Sequence, residues 1–151
     1  MRFAIPAVLV CLSVTTVPVC AYGLDDKIPD QQSINALEFK ANHSQPREQM
    51  FIYAELVHQM TELSVRQYAA GDVDKAAELL RQVQGLTRKI HLAVAEDNKR
   101  VRNTEILLRR TAYRLTEMLH SSSFEDRSLV AETLAGVNQV QSEAMMQVFR
   151  K

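Results

Sequence analysis

The stretch Glu96-Asp97-Asn98-Lys99-Arg100-Val101-Arg102-Asn103-Thr104-Glu105 decides how this chain is arranged, because it joins two halves of one apolar register. Counting from Val73, the residues Val73, Ala76, Leu80, Val83, Thr87, Ile90, Val94, Asp97, Val101, Thr104, Leu108, Thr111, Leu115 and Met118 follow in alternating steps of three and four. That spacing is a heptad register, which lays one stripe along a helix. Its first-type positions are apolar except for Thr87, whereas Asp97, Thr104 and Thr111 weaken the second type. Either one helix runs from Asp72 to His120, roughly 70 Å at the helical rise, or a break near Asp97-Asn98 divides it in two. With neither Gly nor Pro in the stretch, continuity is expected, giving a long central helix over about 72–120.

Working outward, Gly71-Asp72 is a stop and restart: Gly permits the left-handed geometry that ends a helix, and Asp caps the next one. The helix before it starts at Pro46, where the missing N–H costs nothing, with Ser44 as its expected N-cap and Glu48 in the first turn. Its apolar residues Phe51, Tyr53, Leu56, Val57, Met60, Leu63 and Tyr68 wrap more than one face, which predicts a largely buried helix to about Ala70. Beyond the register, His120-Ser121-Ser122-Ser123 closes the central helix and Ser123 caps a last helix through Phe149. Val130, Leu134, Val137, Ala144 and Val148 form its buried stripe. The first half of the long helix should pack on the Pro46 helix and the second half on the last one. Residues 22–45 read as a flexible leader with room for a short helix capped by Asp30 and carrying Ile34, Leu37 and Phe39.

Composition agrees with an all-α fold. The 151 residues include only four Gly and four Pro and no Trp, with 46% hydrophobic and 24% charged side chains, too few turn formers for an all-β protein. The length suits a single domain, 46–151, built as an antiparallel helical bundle of hairpins with coiled-coil-like packing.

The first 21 residues read as a signal peptide. Met1-Arg2 is positive, Phe3 to Val19 is mostly apolar, and Val19-Cys20-Ala21 fits cleavage after Ala21. Pro6, Ser13, Thr15, Thr16 and Pro18 interrupt the apolar run, which is shorter than the ~20 residues of a membrane span. Val19 also fits poorly before a lipoprotein cysteine. The expected location is therefore periplasmic or secreted. Cleavage would remove Cys11 and Cys20, the only cysteines, leaving no disulfide, thiol nucleophile or thiolate metal site.

The strings Pro46 to His58, Gly71-Asp72, Ile90-His91 and Phe124-Glu125-Asp126-Arg127 resemble an uncharacterised family of small exported all-helical bacterial proteins. The resemblance implies export and helicity from about Leu37 onward, and it assigns no activity to any residue. Ala69 to Leu80 also resembles the turn and second helix of a tetratricopeptide repeat. Positions 34 residues away, Leu37 and Glu105, carry no second such turn.

Chemistry-bearing patterns are sparse. Glu55-x-x-His58 and Glu117-x-x-His120 are the spacing that builds metal sites in helix bundles, so Glu55, His58, Glu117 and His120 are the candidate metal ligands. Their depths differ by about ten residues, ~15 Å of helical rise, which favours charged surface residues instead. No placed pair of histidines for haem, no Gly-x-Ser-x-Gly elbow and no Gly-rich phosphate loop occurs. Ser121, Ser122 and Ser123 belong to a cap, and His91 reads as a partly buried packing residue beside the stripe. Neither an enzyme nor a bound cofactor is expected.

Charge is balanced overall, 18 basic against 18 acidic, but segregated along the chain. Arg81 to Arg114 holds nine basic side chains against Glu96, Asp97 and Glu105, a net of +6, while Tyr22 to Leu80 carries −5 and Leu115 to Phe149 carries −4. Pairing between packed helices explains most of this; the functional alternative is an anionic envelope surface bound by the basic run. Nucleic acid is disfavoured by export and by Tyr113 being the only aromatic residue in that run. The expectation is a structural or interaction protein of the envelope, self-associating or binding another helical protein. A chaperone-like role would use Met145 and Met146. The alternative is a metal-binding four-helix bundle.

Overall fold

A computed structural model describes residues 29–94 and 99–150. The expected signal peptide, residues 1–21, and residues 22–28 of the expected leader lie outside the described residues. Among those described, the elements are five helices and no strand: α1 (Gln31–His43), α2 (Pro46–Ala69), α3 (Val73–Ala93), α4 (Val101–Ser121) and α5 (Arg127–Arg150).

Local chemistry explains most of these limits. A reciprocal capping box opens α1: the Ser33 N–H donates to Asp30 Oδ1 at 2.7 Å, and the Asp30 N–H donates to Ser33 Oγ at 3.1 Å. The Ser44 hydroxyl turns back to the Lys40 carbonyl and closes α1. Ser44 is therefore not the cap of α2, as its sequence position suggests; Gln45 stands there without a side-chain bond, and Pro46 follows. Between α2 and α3, Gly71 adopts φ +87°. The Asp72 N–H donates to the Gln67 carbonyl at 2.9 Å and the Gly71 N–H to Tyr68 at 3.1 Å. This is the Schellman arrangement that satisfies the last carbonyls of a helix. Asp72 starts α3, but its carboxylate pairs with Lys75 instead of capping backbone.

The long central helix does not form. α3 ends at Ala93, α4 begins at Val101, and Arg100 between them sits in the left-handed region at φ 61°, a conformation no helix interior contains. The Lys99 N–H donates to the Arg47 carbonyl at 3.0 Å, and the Arg100 guanidinium lies 5.0 Å from the Phe51 ring centre. Both contacts bring the start of α4 back beside the start of α2. Packing supplies the reason. Doubling back puts Val101, Leu108 and Leu115 in the same core as Leu80, Val83 and Ile90, instead of leaving each half of the register one partner helix. The polar register positions Thr104 and Thr111 are buried with them.

Helix α2 packs on α3 and α4, α5 packs on the same two, and α1 packs on α2 alone. The pairs α2/α3 and α4/α5 are antiparallel hairpins, as shown by Ser64 meeting Ala76 and Gln141 meeting Glu105. Helices α2 and α4 run parallel, because His58 meets Thr111 and Glu62 meets Arg114. So do α3 and α5, where Gln84 meets Thr133 and His91 meets Glu143. The result is a four-helix bundle of two hairpins laid side by side, with α3 and α4 on a diagonal. Helix α1 lies antiparallel along α2, tied by Gln49 to the Ala41 and Ser44 carbonyls at one end and by Arg66 to the Pro29 carbonyl at the other.

The core runs the length of the bundle through Met50, Leu56, Met60, Leu80, Ile90, Leu108, Leu115, Val130 and Val137. Each such side chain contributes about 1.5–3 kcal/mol when fully buried. Two threonines inside it return their hydroxyls to their own helices, Thr111 to the Leu107 carbonyl at 2.9 Å and Thr133 to Leu129 at 2.7 Å, whereas the Thr61 and Thr104 hydroxyls are buried without a partner among the described residues. Helix α2 touches three others, which is why its apolar residues wrap its circumference. Among the described residues no helix is long and apolar enough to cross a membrane.

Candidate functional site

The parallel register of α2 and α4 separates the predicted metal ligands. With Glu62 against Arg114, Glu117 stands about ten residues, ~15 Å, beyond Glu55 along the bundle. The structure brings Glu55 near His58 and Glu117 near His120, and keeps the two pairs apart. Arg114 holds Glu117 and reaches Glu62 at 2.7 Å, so that carboxylate is already in an ion pair. Among the described residues no group of three or more His, Cys, Asp or Glu side chains is placed to hold an ion.

The same register creates a groove that the sequence did not reveal. Phe51, Glu55, His58 and Gln59 of α2 face Asn103, Ile106, Leu107 and Arg110 of α4 around an open hollow of about 300 Å³. Residues 51, 55 and 59 recur every fourth position on one helical face, and 103 and 110 stand seven apart on the other. Glu55 Oε2 and Gln59 Oε1 are sealed from solvent with no hydrogen-bond partner among the described residues. Burial pushes the Glu55 carboxyl above its ordinary range, while the charges of Lys40 and Arg100 pull it part of the way back.

His58 is fixed by its neighbour. Thr111 Oγ1 donates its one proton to the Leu107 carbonyl, so at 3.1 Å it accepts from His58 Nδ1. In the neutral ring Nε2 is then the acceptor. Across the groove, the side chains of Asn103 and Arg110 are exposed and make no hydrogen bond or ion pair with the described residues. One wall thus offers acceptors and the other donors, over apolar surface from Phe51, Ile106 and Leu107.

A second feature lies at the end of the bundle where α2 and α4 begin and α3 and α5 finish, here called the base. Leu92 (76% exposed), Phe149 (82%), Met145 and Met146 are uncovered there. Val94 and Met146 border a shallow hollow with His91, Glu143 and Arg150. His91, expected as a partly buried packing residue, is exposed, with Nδ1 2.8 Å from Glu143. With helices and turns divided at their midpoints, the base half holds ten basic and five acidic described side chains, and the opposite half five and nine.

Sequence reasoning missed the groove because a continuous helix would carry residues 103–110 away from residues 51–59. One signal was present: Asp97 is the only charge in the apolar register, and a carboxylate is poorly suited to a core position. No known family, curated protein or solved structure matches the chain.

Proposed function

We propose that this chain is a non-enzymatic interaction protein of the cell envelope, exported by its first 21 residues, and that it self-associates through the base of the bundle. The observation that carries the reading is the uncovered apolar group of Leu92, Met145, Met146 and Phe149 in a protein whose other large apolar side chains mostly fill a core. Charge supports a second copy as the occupant. The base is basic and the opposite end is acidic, and that acidic end carries its own uncovered aromatic, Phe124, 93% exposed beside Glu125 and Asp126. Base-to-end contact is heterologous and leaves a free surface at each end of the assembly, so it grows with concentration.

Light scattering of the purified chain tests this. The expected result is a mass that rises with protein concentration and falls as salt is added, and that returns to the monomer value in the double variant Leu92→Ser/Phe149→Ser. A compact monomer at every concentration and low salt would remove the reading.

A further inference from the structure

We propose that the groove between α2 and α4 binds a small zwitterion: a molecule with an ammonium and a carboxylate on an apolar body, of the size of an apolar amino acid or dipeptide. The site lies on the α2/α4 side of the base half, shares no residue with the Leu92, Met145, Met146 and Phe149 cluster on α3 and α5, and does not depend on self-association. Glu55 and Gln59 line it, and one side-chain oxygen of each is closed off from solvent without a donor among the described residues, so turning it toward a ligand breaks no hydrogen bond. A buried acceptor without a donor costs about 1–3 kcal/mol, more when charged, so a ligand that brings N–H donors gains from filling it. The opposite wall carries Arg110 and Asn103, donors without an acceptor among the described residues.

Neither charge alone suits this arrangement. A simple cation would meet Glu55 but face Arg110, and a simple anion would meet Arg110 but face Glu55. The two residues do not pair with each other, since no ion pair joins them. Parallel register puts Arg110 level with His58, three residues beyond Glu55, so their backbones are offset by about 4.5 Å along the axis. Phe51, Ile106 and Leu107 then cover the apolar body, in a hollow of about 300 Å³. The burial that raises Glu55 also strengthens its attraction to an ammonium, because screening by water is reduced.

Titration of the purified chain with leucyl-leucine, followed by calorimetry and amide chemical shifts, tests the proposal. Binding should move the signals of Phe51 and Ile106. N-acetyl-leucyl-leucine, which lacks the ammonium, and leucyl-leucine amide, which lacks the carboxylate, should each bind about tenfold more weakly, the loss of one charge-assisted hydrogen bond. Glu55→Gln should weaken the dipeptide but leave the acetylated compound unchanged; Arg110→Gln should weaken the dipeptide but leave the amide unchanged. That crossed pattern separates recognition from general damage to the fold, which circular dichroism checks in parallel. No binding of leucyl-leucine or leucine at millimolar concentration overturns the proposal. So does equal binding of the blocked compounds.

Discussion

The Glu105 carboxylate of α4 accepts a 2.8 Å hydrogen bond from the Gln141 amide of α5 while Arg109, one turn on, grips it at 2.6 Å. Glu105 is buried although it is charged. The Arg109 hydrogen bonds, aided by Gln141 and opposed by burial, hold its carboxyl below the ordinary value. A carboxyl lowered in the folded state adds stability above its unfolded pKa, about 4.3, and loses it as pH falls through the lower folded value. Glu105→Gln is therefore expected to cost about 1–2 kcal/mol near pH 7 and to flatten the acid limb of the stability profile below about pH 4. Urea unfolding at a series of pH values measures both effects. An unchanged acid limb would show that Glu105 is not one of the groups that set it.

One substitution should have opposite signs at two glycines. Gly71 sits at φ +87° with nothing near an added Cβ, so Gly71→Ala meets only backbone strain and should lose about 1–2 kcal/mol. Gly85 is inside α3 with equally open space and helical geometry, so Gly85→Ala should gain about 0.5–1 kcal/mol from helix propensity. Melting temperatures of the two variants, measured together, decide this; stabilisation by Gly71→Ala would contradict the turn described.

Much of this fold is legible in residue order, for reasons that are local. The Asp30 cap, Pro46 at the start of α2 and Gly71 at its end each act through neighbours within five positions, and all three helix limits follow from them. The reversal before Val101 is different. Val94 and Val101 are seven residues apart, so the chain turns without disturbing the register, and a periodicity count gives the same answer for one helix or two. Burial of Thr111 also depends on a hydroxyl that bonds back to its own helix, which polarity alone does not disclose. The groove was hidden for the same reason, since its walls become neighbours only after the reversal.

Leu108 gives a quantitative check on which face of α4 points into the core. It is fully buried in the middle of α4, and Leu108→Ala should cost about 2–5 kcal/mol. Tyr113, at 65% exposure on the outer face of the same helix, should change stability by no more than about 0.5 kcal/mol when replaced by Gln. Similar losses at the two sites, measured by denaturant unfolding, would place the wrong face of α4 inward.

The metal alternative makes a distinct forecast. Because about 15 Å of helix separates Glu55 and His58 from Glu117 and His120, added zinc or ferrous iron should leave the melting temperature within a degree or so, and elemental analysis should find no bound metal after desalting. A rise of several degrees that His58→Ala abolishes would restore the metal-binding bundle as the better description.

The segregation of charge between the two ends of the bundle has a consequence for how the particle moves. Helices α2 and α4 point one way and α3 and α5 the other, so their backbone dipoles largely cancel, and the remaining moment comes from side chains. With helices of 21 and 24 residues, the charged ends stand about 30 Å apart, several screening lengths at physiological salt and about one at 0.01 M. In dilute salt the molecule should therefore rotate into alignment before it touches anything charged, approaching end first. In physiological salt each end acts as an independent patch, and only contact decides the outcome.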